Sequence, residues 1–259
     1  MTDPSSIVKV DSIQTCDLAL QEIRANGFCG LDMETTGLDP LTSKIRLVRL
    51  AIPNGRVYVA DIFDLEKDDL GDLAALLEDC QVKKVVYDAK VALSFIRASQ
   101  GHRLKFKNIF DIMLASQLCW SGFYDLVPSK SVKNPWKKRI PDHSLEALAE
   151  RHLGIVLERS SRISDWESME QTAERITSAA KYAGVLLPLH AVLQELLIKN
   201  TLMRVAELET AKQILEEIFH AGPSDVEEMI QMRLDEKNCR KESWQEKEEP
   251  WPREFCPGE

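Results

Sequence analysis

Apolar positions along this chain change period several times, and the changes mark out its elements. Residues 17–26 carry a helical pattern that Gly27 closes, a left-handed residue at a helix end. Phe28 to Met33 is a short, mostly apolar segment and predicts a buried strand. Ile45 to Ile52 and Arg56 to Ile62 are two more strands, with Pro53-Asn54-Gly55 as the turn between them. So short a turn makes them antiparallel neighbours. The next pattern is a helix over 70–78, a β-branched strand from Val82 to Tyr87, and a helix from Ala89 to Ser99. Phe106 to Phe110 reaches a sheet edge, and Asp111 opens a helix that runs to Leu118.

The second half reads as mostly helical. Residues 121–141 hold three prolines and a cluster of charge, and no regular element is expected there. Ser144 to His152 is a helix with His143 or Ser144 as its cap. A loop over 160–166 leads into a long helical region at 170–219, expected to break at Pro188. A short helix is expected over 225–234, and the Glu-, Lys-, Trp- and Pro-rich end from 237 is expected to be disordered. Three antiparallel strands, then a strand–helix alternation, then helices predict an α/β fold: a mixed sheet flanked by helices. The expected division is a main domain at 1–200, a helical extension at 201–236 and a tail at 237–259.

Composition narrows the classes. The 259 residues are 44% hydrophobic and 29% charged, with a formal net charge of -9. That balance argues against wholesale coating of nucleic acid, so any nucleic acid must meet a local basic patch. Six cysteines without a Cys-x-x-Cys pair are expected to be reduced thiols, with no structural zinc. The N-terminal segment lacks a signal-peptide pattern, and no apolar run suggests a membrane span. A cytoplasmic protein is the expectation.

The candidate chemistry lies at the end of the first buried strand. Asp32 and Glu34 are two residues apart in Leu31-Asp32-Met33-Glu34-Thr35-Thr36-Gly37-Leu38-Asp39-Pro40. Alternate residues of a strand share a face, so both carboxylates project to one side. Two clustered carboxylates with no basic neighbour in sequence call for a cation between them, and hard divalent ions prefer such oxygens. A pair of metals clamping the attacking and leaving oxygens is the arrangement that hydrolyses phosphodiesters.

This string resembles the first motif of the DEDD 3′–5′ exonucleases, and more narrowly their ribonuclease D and DNA polymerase I proofreading branch. Phe110-Asp111-Ile112-Met113-Leu114-Ala115, His143-Ser144-Leu145 through Leu153-Gly154-Ile155, and Ser164-Asp165-Trp166 resemble further segments of that branch. The resemblance covers roughly residues 5–200. It implies a ribonuclease H-like fold, Mg²⁺ or Mn²⁺ as cofactor, and a nucleic-acid partner, a single-stranded 3′ end of DNA or RNA. Asp32, Glu34 and the following Thr35, Thr36, Gly37 and Leu38 would line the cleft.

The sequence departs from that family at two of four carboxylates. The second motif reads Val86-Tyr87-Asp88-Ala89-Lys90-Val91-Ala92, with Ala92 at the position of the family's aspartate. Asp88 stands four residues earlier and is either a replacement metal ligand or the N-cap of its helix. For the third motif, one alignment anchors on Tyr182 as the family tyrosine and puts Leu186 at the aspartate. The other runs without a gap, matches more positions, and puts Ser178 at the tyrosine and Tyr182 at the aspartate. Either way a carboxylate is missing. A methyl group and a neutral phenol are poor metal ligands, so catalysis should be lost or severely impaired.

The basic stretch 128–139 contributes Lys130, Lys133, Lys137, Lys138 and Arg139 around Trp136, a composition suited to phosphates and unstacked bases. Three functions follow: a nucleic-acid-binding domain without efficient cleavage; an exonuclease working from Asp32, Glu34 and Asp88; and an adaptor or dimerising scaffold acting through residues 200–236. None of the five histidines forms a constellation with other ligands.

Overall fold

The computed structural model describes residues 6–63, 75–100, 105–120, 125–128, 136–139, 141–158 and 173–199, with residues 206 and 210. Six strands form one sheet: β1 Ile7–Val10, β2 Phe28–Thr35, β3 Ile45–Ala51, β4 Val57–Asp61, β5 Lys83–Val86 and β6 Ile109–Asp111, in the order β1-β4-β3-β2-β5-β6. The central β2, β3 and β4 are antiparallel, and β5 and β6 add to β2 in parallel. The mixed sheet is the one expected. The strand β1 was not read from the sequence. It has four residues and adds in parallel to the outer edge of β4, a short edge pairing that gives little periodic signal.

Helices cover both faces. The first, α1 Ile13–Asn26, begins four residues before its expected start. Ser12 caps it through a reciprocal pair with Thr15, and Gly27 ends it with φ 65°. With α2 Ala89–Gln100 it covers a core of Leu20, Ile23, Leu31, Val48, Leu93 and Ile96. Residues 75–78 are helical and bury Leu76 and Leu77 in that core; the rest of the helix expected over 70–78 lies outside the described residues. The other face takes α3 Ile112–Cys119, α4 Leu145–Leu153, α5 Ala173–Gly184 and α6 Leu186–Lys199.

Three expectations are corrected. Residues 121–141 contain an antiparallel ribbon, β7 Asp125–Pro128 with β8 Trp136–Arg139, where no regular element was expected. Proline and consecutive lysines hide the alternation that would have marked it. The long helical region breaks at Val185, not at Pro188. Pro188 sits in the first turn of α6, where its missing N–H leaves no helical bond unmade. Together α5 and α6, Ala173–Lys199, are long and apolar enough to cross a membrane by length and composition, contrary to the reading that no such run exists. Half of that apolar window is buried inside the fold, where it packs on the sheet. The helix expected over 225–234, the loop at 160–166, and both segments assigned beyond residue 200 lie outside the described residues, save that positions 206 and 210 are helical.

One carboxylate joins the parallel half of the sheet to two helices. Asp111, 1% exposed, ends β6 and caps α3 by accepting from Met113 N at 2.8 Å and Leu114 N at 3.3 Å. It also accepts from Ala89 N at 2.8 Å and Asp88 N at 3.2 Å at the start of α2. Asp88 itself has φ 55°, a left-handed position that turns the chain into α2. Burial pushes the Asp111 carboxyl up to about 6, against the amides that favour its charge.

Asp111→Ala strips acceptors from two helix starts and should cost about 2–4 kcal/mol in urea unfolding. A loss under about 0.5 kcal/mol contradicts the double cap. The raised carboxyl binds a proton more tightly in the folded chain. Its contribution to stability is therefore full below the unfolded value of about 4 and is lost as pH rises through 6. Carbon-detected titration should place the Asp111 midpoint at about 6.

Candidate active site

The site is built on the face of β2 and β3 that meets α5 and α6. Gly30, Asp32 and Glu34 alternate along β2 and share this face. A Cβ at Gly30 would stand 3.1 Å from Leu186 Cβ and 3.3 Å from Ala183 O, so glycine lets the helices approach the strand. Across the antiparallel ladder Gly30 faces Ala51, Asp32 faces Arg49 and Glu34 faces Leu47. Leu47 and Ala51 pack with Ala179, Ala180 and Ala183 of α5, small residues that hold the helix close.

Arg49 belongs to the same alternating series as Leu47 and Ala51, and it is 1% exposed. Its Nη2 donates to Glu34 Oε1 at 2.9 Å and lies 2.6 Å from Asp32 Oδ2. Its Nη1 donates to Ala179 O at 2.6 Å. The contact with Asp32 is an ion pair without an aligned hydrogen bond. The carboxylates are 19% and 18% exposed, so the cluster is half-open on the acidic side and closed behind the guanidinium. Burial raises Asp32, with Arg49 pulling the other way. Burial also raises Glu34, opposed by Arg49 and more weakly by Arg175 of α5, while the charge of Asp32 adds to the rise.

The basic neighbour of the carboxylates was missed in sequence because it comes from the partner strand. The signal was present. A lone arginine in the series Leu47, Arg49, Ala51 must point at the apolar helix face, and a buried guanidinium requires counter-charges.

Other expected site residues are distributed more widely. Thr35, Thr36 and Gly37 build the loop that follows β2. Thr35 Oγ1 donates to Gly37 O at 2.7 Å, and Thr36 Oγ1 accepts from Lys44 N at 3.0 Å. A Cβ at Gly37 would run into Ser43 Oγ. Asp39 accepts from Leu41 N at 2.9 Å and closes the loop, leaving Leu38 and Leu41 exposed beside the site. Ala92 is buried on α2. Asp88 accepts from Val91 N at 3.3 Å, the bond of an N-cap. Ser178 is half-buried on α5, one residue before the carbonyl that Arg49 holds. Tyr182 is half-buried on the same helix, and its hydroxyl donates to Glu158 O at 2.7 Å. Its ring packs on the core of Val85, Phe110 and Leu186. Lys130 and Lys133 lie outside the described residues, whereas Trp136, Lys137, Lys138 and Arg139 form β8 of the ribbon.

A mixed sheet of this order, with an acidic pair at the end of its second strand, defines a ribonuclease H-like domain of the nuclease type. The sequence profile of the 3′–5′ exonuclease domain family matches residues 7–198. Similar folds include the catalytic core of RRP6 from Trypanosoma brucei, at TM-score 0.62 and 16% identity over 78% of this chain and 50% of that one. Brucella melitensis NrnC bound to pGG aligns at TM-score 0.58 and 15% identity over 95% of this chain and 96% of that one. Trypanosoma brucei RNase D in complex with RNA U12 aligns at TM-score 0.54 and 16% identity over 73% and 64%. No curated protein matches the sequence. The chain belongs to the 3′–5′ exonuclease domain family.

That family works with divalent metal ions, and the residues present here do not fit them. Ala92 and, in the ungapped alignment, Tyr182 stand where the sequence resemblance leads one to expect carboxylates. Among the described residues no three His, Cys, Asp or Glu side chains come together as a group able to hold a metal. The gap between the two remaining carboxylates already has a positive charge in it.

Replacing Arg49 by alanine leaves two carboxylates facing each other without their counter-ion. Unfolding in metal-free denaturant should show a loss of about 3–5 kcal/mol. A loss under about 1 kcal/mol would mean that the guanidinium is not the centre of the cluster.

Proposed function

We propose that this protein binds single-stranded nucleic acid through a 3′–5′ exonuclease-type cleft and does not cleave it efficiently. The observation that carries this reading is the reduced ligand set. Asp32 and Glu34 remain, while Ala92 supplies no oxygen and Tyr182 gives its hydroxyl to the Glu158 carbonyl. Hydrolysis in such sites needs a metal both to generate the nucleophile and to stabilise charge on the leaving oxygen, so losing ligands removes both. Asp88 does not repair the set: its Oδ1 accepts from Val91 N at the start of α2, and among the described residues it joins no group of three possible metal ligands.

Binding needs less than cleavage does. The loop after β2 is firmly built and exposes Leu38 and Leu41. Elsewhere in the chain β8 carries Trp136-Lys137-Lys138-Arg139, an aromatic followed by three cations in consecutive positions. That similar folds have been seen with RNA U12 and with pGG supports a single-stranded ligand.

The test uses end-labelled single strands of RNA and of DNA with Mg²⁺ or Mn²⁺. The expected result is a mobility shift without shortening. Metal-dependent trimming from the 3′ end that disappears in Asp32→Ala would contradict the proposal. Reversing charge at Lys137, Lys138 and Arg139 together should weaken binding by roughly tenfold or more and flatten its salt dependence. Unchanged binding would remove the ribbon from the interface.

A further inference from the structure

We propose that Arg49 is a resident cation that takes the place of a metal ion between Asp32 and Glu34, so that restoring the two missing carboxylates alone would not restore metal binding. This deepens the reading of a non-cleaving site and rests on it.

Three observations carry it. The first is position. Arg49 stands directly opposite Asp32 in the β2–β3 ladder, and one nitrogen touches both carboxylates, at 2.6 Å and 2.9 Å. A cation bridging that pair of oxygens would have to share the space with Nη2. The second is anchorage. The guanidinium is not a mobile surface group that could step aside, because it is 1% exposed and its other terminal nitrogen donates to Ala179 O at 2.6 Å. Turning it away would break that bond and place a charge among Leu47, Val57 and Val59 on the same packed face. The third is the electrostatic balance. Arg49 already supplies one positive charge in contact with both carboxylates. A divalent ion entering beside Arg49 would meet like-charge repulsion in a partly buried site, where such contacts are much stronger than in water.

The same bonds give Arg49 a structural role. It ties α5, which carries Ser178 and Tyr182, to the two central strands. A metal bound by ligands on both elements would fasten the same parts of the fold. Here the fastening is encoded in the chain and is independent of metal supply. Loss of the third and fourth carboxylates and possession of Arg49 are then two sides of one arrangement, since a guanidinium needs two carboxylates and would be overcharged by four.

Metal binding, read without any cleavage assay, tests this. Mn²⁺ affinity is measured by calorimetry and by Mn²⁺ electron paramagnetic resonance on the wild type, on Ala92→Asp/Tyr182→Asp, and on Arg49→Gln/Ala92→Asp/Tyr182→Asp. The triple variant should bind Mn²⁺ about a hundredfold more tightly than the double variant, the scale of removing a like charge at contact in a partly buried site. Equal affinity of the double and triple variants overturns the proposal. A second measurement needs only the native chain: Mn²⁺ should leave the amide resonances of Met33 and Thr35 unbroadened. Selective broadening there overturns the proposal even where the variants fail to fold. Neither readout depends on hydrolysis. A chain that trims RNA would sink the non-cleaving function, whereas a chain that binds Mn²⁺ at Asp32 and Glu34 without trimming would sink only the role of Arg49.

Discussion

A single buried guanidinium organises the centre of this molecule. Arg49 reaches from β3 to both carboxylates of β2 and to a carbonyl of α5, so two neighbouring strands and a helix distant in sequence meet on one side chain. Burying a charge is costly unless it is paired and hydrogen-bonded, and here the partners are Asp32 and Glu34, the residues that mark the family. Their retention therefore has a structural cause independent of catalysis. Removing either acid would leave the guanidinium short of a counter-charge.

The rest of the architecture positions that cluster. Small residues, Gly30 on β2 and Ala179, Ala180 and Ala183 on α5, bring helix and sheet close enough for the arginine to span them. On the parallel side of the sheet Asp111 plays a comparable part with amides, joining the end of β6 to the starts of α2 and α3. That places Asp88 at a helix cap and Ala92 one turn further on, with Ala92 N donating to Asp88 O at 3.1 Å.

Much of the fold was legible in the sequence, for identifiable reasons. The central strands are apolar runs bounded by turn residues, and Gly27 and Gly154 end helices with φ of 65° and 66°. The strands β1, β7 and β8 escaped notice because short edge strands and proline- or lysine-bearing strands carry no clear alternation of apolar residues. The break in the last helices was misplaced because proline was taken as a breaker, whereas in a first turn it is compatible with helix. At the site, the shared face of Asp32 and Glu34 was readable from their spacing in a single motif. Arg49 was not, since its meaning arises from cross-strand register. That register places Arg49 opposite Asp32 in the β2–β3 ladder, beyond what any local motif records.

The central claim concerns which cation sits between Asp32 and Glu34. The most direct measurement is a crystal of the native chain soaked in Mn²⁺, with diffraction recorded at the manganese absorption edge. The account predicts no anomalous peak between the two carboxylates and a guanidinium bound to both. An anomalous peak coordinated by Asp32 and Glu34, with Arg49 displaced from Ala179 O, would contradict it.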